Sequence, residues 1–239
     1  MLKVIITCEH GGNQIPEAYA ELFAAEQALL ESHKGYDIGA LELFDALKDL
    51  ADKSFYATNS RLLVELNRSP HHKTLFSELT QNLPKNRKSD ILKNYYYPYR
   101  ERVEELVHDL TMVGHQVLHV AIHTFTPVMD GLERQADIGL LYDPRREGER
   151  VFCRSWKKAL LHQQKDLKVR FNYPYLGIAD GFPTYLRRRF TNEQYMGIEL
   201  EVNQKFPLEH DKQWERIQKA IKSSLKSVIL QMKAEEQVR

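Results

Sequence analysis

Two histidines follow apolar stretches of the sequence that are typical of β-strands. His10 comes just after the run 2–8, and His123 comes directly after the run 116–122. The carboxyl ends of parallel strands lie along one edge of a sheet, and ligands of open α/β folds bind there. We therefore expect the two imidazoles to approach each other, although they are far apart in the sequence. Imidazole serves both as a metal ligand and as a general acid or base, so this arrangement is compatible with a metal site or with acid–base chemistry.

A third apolar run, 196–202, adds two carboxylates. Glu199 and Glu201 lie on one face of it, because side chains alternate along a strand. Two histidines and one carboxylate form a common catalytic zinc set that leaves a position for water. Zinc lowers the pKa of such a water to about 7, and a further carboxylate can carry its proton to a leaving amine. These residue types therefore favour a metal-dependent hydrolase.

The segments that must position these groups alternate between strand and helix patterns. Such alternation predicts an α/β domain with a mostly parallel mixed sheet and helices on both faces. One domain, 1–239, is expected from the length. The predicted strands are 2–8, 53–58, 62–66, 116–122, 137–142, 167–171 and 196–202. The predicted helices are 17–32, 40–50, 98–114, 147–162, 182–190 and 214–232, and Asp37 can serve as the N-cap of the second.

Composition narrows the class of protein. The net charge is +1, with 42% hydrophobic and 28% charged residues, as in globular proteins. This balance gives no support for binding to nucleic acid or to a membrane surface. Cys8 and Cys153 are too few for a disulfide framework, and Cys8 lies in an apolar strand pattern that favours a core position. No signal peptide or membrane span is recognisable, so a cytoplasmic protein is expected.

Seven short motifs stand in order along the chain: residues 8–16, 36–40, 60–68, 96–99, 122–127, 172–175 and 200–203. Together they resemble the motifs of the N-formylglutamate amidohydrolase family, which is distantly related to the zinc carboxypeptidases and to the aspartoacylase group. The resemblance implies a zinc carboxypeptidase-like, phosphorylase/hydrolase-like fold and one zinc ion. It also implies a small-molecule substrate, N-formyl-L-glutamate, that is hydrolysed to formate and L-glutamate in histidine degradation.

The same resemblance makes His10 and His123 metal ligands. The carboxypeptidase-like pattern has a glutamate three positions after its first histidine, where this sequence has Asn13. The middle ligand therefore stays open. Asp37 is the preferred residue, with Glu9 and Asn13 as the alternatives.

Further roles follow from the motif positions. The pair Asn67 and Arg68 resembles the dipeptide that holds a substrate α-carboxylate in the wider superfamily. Glu201 matches the general base, and Glu199 competes with it because both lie on one face of the strand.

Arginine completes the expected site. Arg61 and Arg134 are candidates for polarising the scissile carbonyl or for binding a second carboxylate, because the planar guanidinium makes paired hydrogen bonds. Surface ion pairs would equally explain both arginines. Glu65 stands where relatives usually have aspartate, a change that keeps the charge but alters the reach.

The sequence is also compatible with two other functions. The same residues would serve an amidase or peptidase that acts on another acylated amino acid or on a cell-wall fragment. A non-catalytic binding protein on the same fold is the alternative from another class. Zinc content and the convergence of His10 with His123 distinguish the binding protein from the enzymes.

Overall fold

A six-stranded β-sheet forms the centre of the computed structural model, which describes residues 1–209 and 212–238. Its strand order is β2-β1-β3-β8-β6-β7. The first four strands in this order are parallel, β6 runs antiparallel to β8, and β7 is parallel to β6. The predicted α/β fold with a mostly parallel mixed sheet is thus confirmed. The strands are β1 (Leu2–Cys8), β2 (Lys53–Tyr56), β3 (Gln116–Phe125), β6 (Ile138–Leu141), β7 (Val169–Phe171) and β8 (Tyr195–Asn203), with a separate hairpin of β4 (Val128–Met129) and β5 (Leu132–Glu133).

Helices cover both faces of this sheet. They are α1 (Gln27–Leu30), α2 (Ala40–Leu47), α3 (Lys85–Ile91), α4 (Tyr97–Met112), α5 (Glu147–Gln163), α6 (Phe182–Arg187), α7 (Lys205–Glu209) and α8 (Lys212–Val238). The largest apolar cluster joins one sheet face to α2, α5 and α8, and another joins the opposite face to α4 and α6. Both faces of the central strands are buried, which explains their continuous apolar runs. Among the described residues, no helix has both the length and the apolar content needed to cross a membrane.

The strand predicted over 62–66 is wrong, because this segment forms turns. The amide of Leu63 donates to the carbonyl of Ser60 at 3.0 Å, and the amide of Glu65 donates to the carbonyl of Leu75 at 2.9 Å. Its backbone groups are therefore satisfied outside a sheet. Residues 62–66 are all buried, most of them in an apolar cluster with Tyr19 and Phe23, so their hydrophobicity reflects burial on all sides.

The helix predicted over 17–32 divides into two short pieces. A 3₁₀ helix spans Glu17–Phe23, and α1 follows after a break. The amide of Tyr19 donates to the carbonyl of Pro16 at 2.9 Å, a bond typical of the tighter 3₁₀ form. The other predicted helices are present with shifted ends. The C-terminal helix is the most extended of them, since it spans Lys212–Val238 instead of 214–232.

Strand β3 continues past His123 to Phe125. Residues 124 and 125 pair with Val202 and Asn203 of β8, and His123 pairs with Glu201. His123 therefore lies within the strand and not after its end, as the sequence pattern indicated. Its backbone is held by the sheet, so the position of its imidazole is fixed by the strand register.

Candidate metal centre and active site

Three buried side chains meet near the carboxyl end of β1: His10, Asp37 and His123. Oδ2 of Asp37 lies 3.2 Å from Nδ1 of His10 and 3.0 Å from Nδ1 of His123. One ligand atom from each residue lies within 4.8 Å of the other two. Two imidazoles and one carboxylate are donors that zinc takes at catalytic sites. The residues present therefore fit a zinc ion.

The backbone around α2 brings Asp37 to the imidazoles. Its amide donates to the carbonyl of His10 at 3.0 Å, and the amide of Thr124 donates to its Oδ2 at 3.4 Å. Gly39 then turns the chain with a φ of +83°, and a Cβ there would lie 2.5 Å from Cβ of Pro207. Gly39 also occupies the N-cap position of α2, so the Asp37 side chain does not cap this helix.

Each imidazole directs its other nitrogen toward a further carboxylate. Nε2 of His10 is hydrogen-bonded to Glu65, and Nε2 of His123 lies 3.3 Å from Oε2 of Glu9. The hydroxyl of Tyr99 donates to the second oxygen of Glu9 at 3.0 Å. Carboxylates in this position orient metal-binding imidazoles and raise their basicity. Asp37, and not Glu9, is therefore the carboxylate that lies between the two histidines.

The contact of Glu65 with His10 was not predicted from the sequence. In the structure, Nε of Arg61 donates to Oε2 of Glu65 at 2.7 Å, and its Nη1 donates to Oδ1 of Asp37 at 3.0 Å. Arg61 thus joins the carboxylate behind His10 to the carboxylate between the histidines.

Ion pairs hold the charged state of this buried cluster. Burial alone would raise the pKa of Asp37, but His10, His123 and Arg61 hold it well below its ordinary value. Burial also opposes the charge of Glu65, whose pKa is nevertheless held low by Arg61 and His10. Burial would lower the pKa of His123, and the Asp37 carboxylate instead raises it well above its ordinary value. The cluster is therefore a set of mutually compensating charges.

Glu201 and Glu199 have different surroundings on β8, although both line the same small cavity. Oε1 of Glu199 accepts a hydrogen bond from Nδ2 of Asn67 at 3.0 Å. Oε2 of Glu201 is buried and has no hydrogen-bond partner among the described residues. Burial raises the pKa of Glu201 to about 8. Of the two candidates for the general base, Glu199 is held by Asn67, whereas no hydrogen bond among the described residues holds Glu201.

Asn67 and Arg68 differ in what they can offer to a substrate. The Asn67 amide is used within the protein, since its Oδ1 accepts from the amide of Phe182 at 2.6 Å and its Nδ2 donates to Glu199. Nη1 of Arg68 donates to the carbonyls of Asn67 and Asp180, at 2.9 and 2.8 Å. No carboxylate of the described residues forms an ion pair with Arg68. The two carbonyls therefore hold the guanidinium of Arg68 in place, and its positive charge remains available to pair with a ligand.

Arg134 and Asn13 lie outside the cluster. Nη1 of Arg134 donates to the hydroxyl of Tyr175 at 3.3 Å, its Nη2 lies 2.8 Å from the sulfur of Met129, and the guanidinium stacks 5.2 Å from the Tyr175 ring. Within the described residues, its contacts include none of the three clustered side chains. Nδ2 of Asn13 donates to the carbonyl of Leu30 at 3.1 Å, so its amide is used to hold the end of α1.

Two neighbouring cavities give access to the cluster. The inner cavity, of about 170 Å³, is lined by all three clustered residues and by Glu199 and Glu201. The outer cavity, of about 580 Å³, shares five lining residues with it. A third and larger groove, of about 800 Å³, lies against α4 and α6 and is lined by none of the clustered residues. The inner cavity is therefore where the candidate groups face a common volume.

Comparisons with solved structures reveal two similar folds. A gene product from Agrobacterium tumefaciens is 24% identical with a TM-score of 0.77, over 97% of this chain and 92% of that chain. An N-formylglutamate amidohydrolase from Ralstonia eutropha is 15% identical with a TM-score of 0.68, over 96% of this chain and 93% of that chain. A metallo-carboxypeptidase from Burkholderia cenocepacia is 13% identical over 96% of this chain and 57% of that chain, and its TM-score of 0.38 is too low to bear on the fold.

Comparison at the level of sequence families is more specific. None of the curated protein sequences compared with the chain matches it. The profile of the N-formylglutamate amidohydrolase family matches residues 2–207, which is most of the chain and includes every residue of the cluster. The chain therefore belongs to the N-formylglutamate amidohydrolase family, a family of amide-bond hydrolases.

Proposed function

We propose that this protein is a zinc-dependent amidohydrolase that removes a short acyl group from the nitrogen of an amino acid. N-formyl-L-glutamate is the first substrate to test, with formate and L-glutamate as the products. The observation that carries the proposal is the convergence of His10, Asp37 and His123 beside the unpartnered carboxylate oxygen of Glu201. Membership of an amidohydrolase family supports the reaction type.

His10, Asp37 and His123 are proposed to hold the zinc ion. When bound, zinc supplies a Lewis acid that polarises a carbonyl oxygen and lowers the pKa of water. Glu65 and Glu9 fix the orientation of the two imidazoles through their outer nitrogens. This chain therefore provides both the donors and the groups that keep them aligned.

Glu201 is proposed as the group that moves the proton. In its ionised form, its Oε2 takes a proton from the attacking water as the water oxygen bonds to the acyl carbon. The carboxyl group then returns this proton to the nitrogen as the carbon–nitrogen bond breaks. Glu199 is tied to Asn67, which fits a structural role for that carboxylate.

The arginines are proposed to handle the charge of the substrate. Arg68 borders both cavities without an ion-pair partner among the described residues, so it suits the α-carboxylate of the substrate. Arg61 keeps Asp37 in place and lines the inner cavity, where it can polarise the scissile carbonyl. Arg134 contacts the Tyr175 ring instead, and we assign it to the rim of the site.

The test is an assay of formate release from N-formyl-L-glutamate by the purified protein with stoichiometric zinc. Glu201→Gln is expected to reduce kcat by at least about a hundredfold, as for loss of a general acid–base group. Glu133→Gln, which replaces an exposed glutamate on β5, is the matched control. Full turnover by Glu201→Gln would remove this residue from the mechanism.

A second measurement tests the metal assignment separately. His10→Ala and His123→Ala are expected to lose bound zinc, as measured by elemental analysis after dialysis. Zinc retained by either variant would contradict the ligand set. Absence of stoichiometric zinc in the unmodified protein would favour a binding protein over an enzyme.

A further inference from the structure

The outer cavity is larger than the reaction on a formylated amino acid requires. At about 580 Å³ it lies within the range of roughly 300–1,000 Å³ that is usual for small-molecule sites, whereas the inner cavity, at about 170 Å³, lies below that range. The two cavities share Asp37, Arg61, Arg68, Thr124 and Tyr175 as lining residues. A ligand that reaches His10, Asp37 and His123 in the inner cavity can therefore extend into the outer cavity.

The outer cavity has an excess of positive charge. Its lining has four cationic side chains and three carboxylates, a formal excess of one positive charge, and Arg61 pairs with two of the carboxylates, Asp37 and Glu65. Lys34 and Lys73 also line the outer cavity, and neither forms an ion pair within the described part of the chain. Arg68 adds a third cation without such a partner, and the exposed Glu78 is the remaining carboxylate of the lining. This balance favours a ligand that carries negative charge.

An apolar rim accompanies these cations. Met129 and Tyr175 line the outer cavity and are 36% and 42% exposed, and Leu176 lines the inner cavity and is 60% exposed. Arg134 fixes the Tyr175 ring by stacking on it and donating to its hydroxyl. Small-molecule sites are usually lined by apolar and aromatic side chains together with a few polar or charged groups. The three exposed side chains suit the aliphatic or amide stem of a ligand whose end is charged.

We infer that the outer cavity is a second substrate subsite, which binds an additional carboxylate-bearing portion of a substrate longer than N-formyl-L-glutamate. The inference rests on the proposed function and specifies its substrate class: an N-acyl amino acid extended by a second acidic unit. The extension can belong to the amine side, as in an acylated acidic dipeptide, or to the acyl side, as in a dicarboxylic acyl group. Lys34 and Lys73 recognise the added carboxylate, and Tyr175 packs against the stem.

The experiment compares three substrates with the zinc-loaded protein: N-formyl-L-glutamate, N-formyl-L-glutamyl-L-glutamate and N-glutaryl-L-glutamate. We expect kcat/KM for one of the two longer compounds to exceed that for the shortest by at least about tenfold. Which of them gains identifies the side of the extension. Equal or lower kcat/KM for both longer compounds would overturn the inference.

The double variant Lys34→Ala/Lys73→Ala tests the recognition of charge. Both lysines are exposed, so each forms only a weak ion pair with the added carboxylate, and the ratio of kcat/KM between the longer and the shorter substrate should fall about three- to tenfold. The matched control, Lys85→Ala/Lys93→Ala, removes two exposed lysines that do not line either cavity. An unchanged ratio in Lys34→Ala/Lys73→Ala would contradict the assignment of these lysines.

Binding to Glu201→Gln, measured by calorimetry, separates this inference from the proposed function. Suppose that the unmodified protein hydrolyses none of the three compounds, but that Glu201→Gln binds a longer one at least about tenfold more tightly than N-formyl-L-glutamate. The subsite then stands and the amidohydrolase proposal fails. If N-formyl-L-glutamate is hydrolysed and the longer compounds bind no more tightly, the proposed function stands and the subsite is refuted.

Discussion

Glu65 and His10 are hydrogen-bonded through the imidazole nitrogen that faces away from Asp37. The His10 nitrogen that faces Asp37 and the outer nitrogen therefore have separate carboxylate partners. Such an outer carboxylate fixes the tautomer and the ring orientation of a metal-binding histidine. The arrangement also explains why Arg61 is needed, because it compensates the charge of both carboxylates.

Glu65→Gln should weaken zinc binding by about 10- to 100-fold, because the neutral amide orients His10 less strongly and lowers its basicity. The measurement is competition for zinc with a chromogenic chelator, which does not depend on turnover. Glu65→Asp should retain more affinity than Glu65→Gln, since it keeps the charge. Zinc affinity equal to that of the unmodified protein in Glu65→Gln would show that the contact does not serve the metal.

Tyr99→Phe should destabilise the zinc-free protein. It removes the hydroxyl that donates to the buried carboxylate of Glu9, and hydrogen bonds to charged groups contribute about 1.5–3 kcal/mol. The free energy of unfolding in guanidinium chloride should fall by that amount. Tyr97→Phe is the control, because Tyr97 is partly exposed and its ring stacks edge-on with Tyr96. Equal free energies of unfolding for Tyr99→Phe and Tyr97→Phe would show that the Tyr99 hydroxyl does not stabilise the Glu9 carboxylate.

Tyr96→Phe should impair substrate binding more than turnover. The Tyr96 hydroxyl donates to the carbonyl of Arg68 at 2.6 Å, and Nη1 of Arg100 donates to the carbonyl of Leu66 at 2.7 Å. Tyr96 and Arg100 therefore hold the backbone on either side of Asn67. Loss of one such bond is worth about 0.5–1.5 kcal/mol, which predicts a rise in KM of about two- to tenfold. Steady-state kinetics test this, and a fall in kcat at constant KM would contradict the positioning role.

His119 should make the protein less stable in mild acid. Both of its nitrogens are hydrogen-bonded, to Thr7 and to Tyr195 at 2.7 Å each, and burial lowers its pKa to about 4. In the unfolded chain an ordinary histidine takes up a proton near pH 6.5, so the unfolded state binds more protons and stability falls with decreasing pH. Between pH 7 and pH 5 this group costs about 2 kcal/mol.

His119→Gln removes that contribution. The difference in unfolding free energy between pH 7 and pH 5 should therefore be about 2 kcal/mol smaller in this variant than in the unmodified protein. Denaturant unfolding at the two pH values gives both quantities. An identical pH dependence in the two proteins would show that His119 is not neutral in the folded state.

The part of the site that lies on the sheet could be predicted from the sequence. His10 and the pair Glu199 and Glu201 were found because apolar runs and alternation along a strand are local properties. His123 was found for the same reason, although the strand continues beyond it. The parallel arrangement then predicted that these residues meet at one edge. Asp37 depended on the family resemblance, since on local grounds it also suited a helix cap.

The remainder depended on tertiary structure. The run 62–66 is apolar on all sides because it is buried in a turn, and a pattern of burial alone does not distinguish that turn from a strand. The position of Glu65 follows from this turn, so its contact with His10 was missed. The antiparallel direction of β6 could not be predicted either, because the sequence of a short buried strand does not show which way it runs in the sheet.

Strand β8 lies inside the sheet, with β3 on one side and β6 on the other. Glu201 is consequently paired with His123 across one boundary and with Gly139 across the other. Glu201 and His123 therefore share the central sheet, whereas Met129 lies in the separate β4–β5 hairpin and Tyr175 lies in the loop between β7 and α6. Substitutions in the hairpin or in this loop can therefore alter which substrates fit without moving the groups proposed for catalysis.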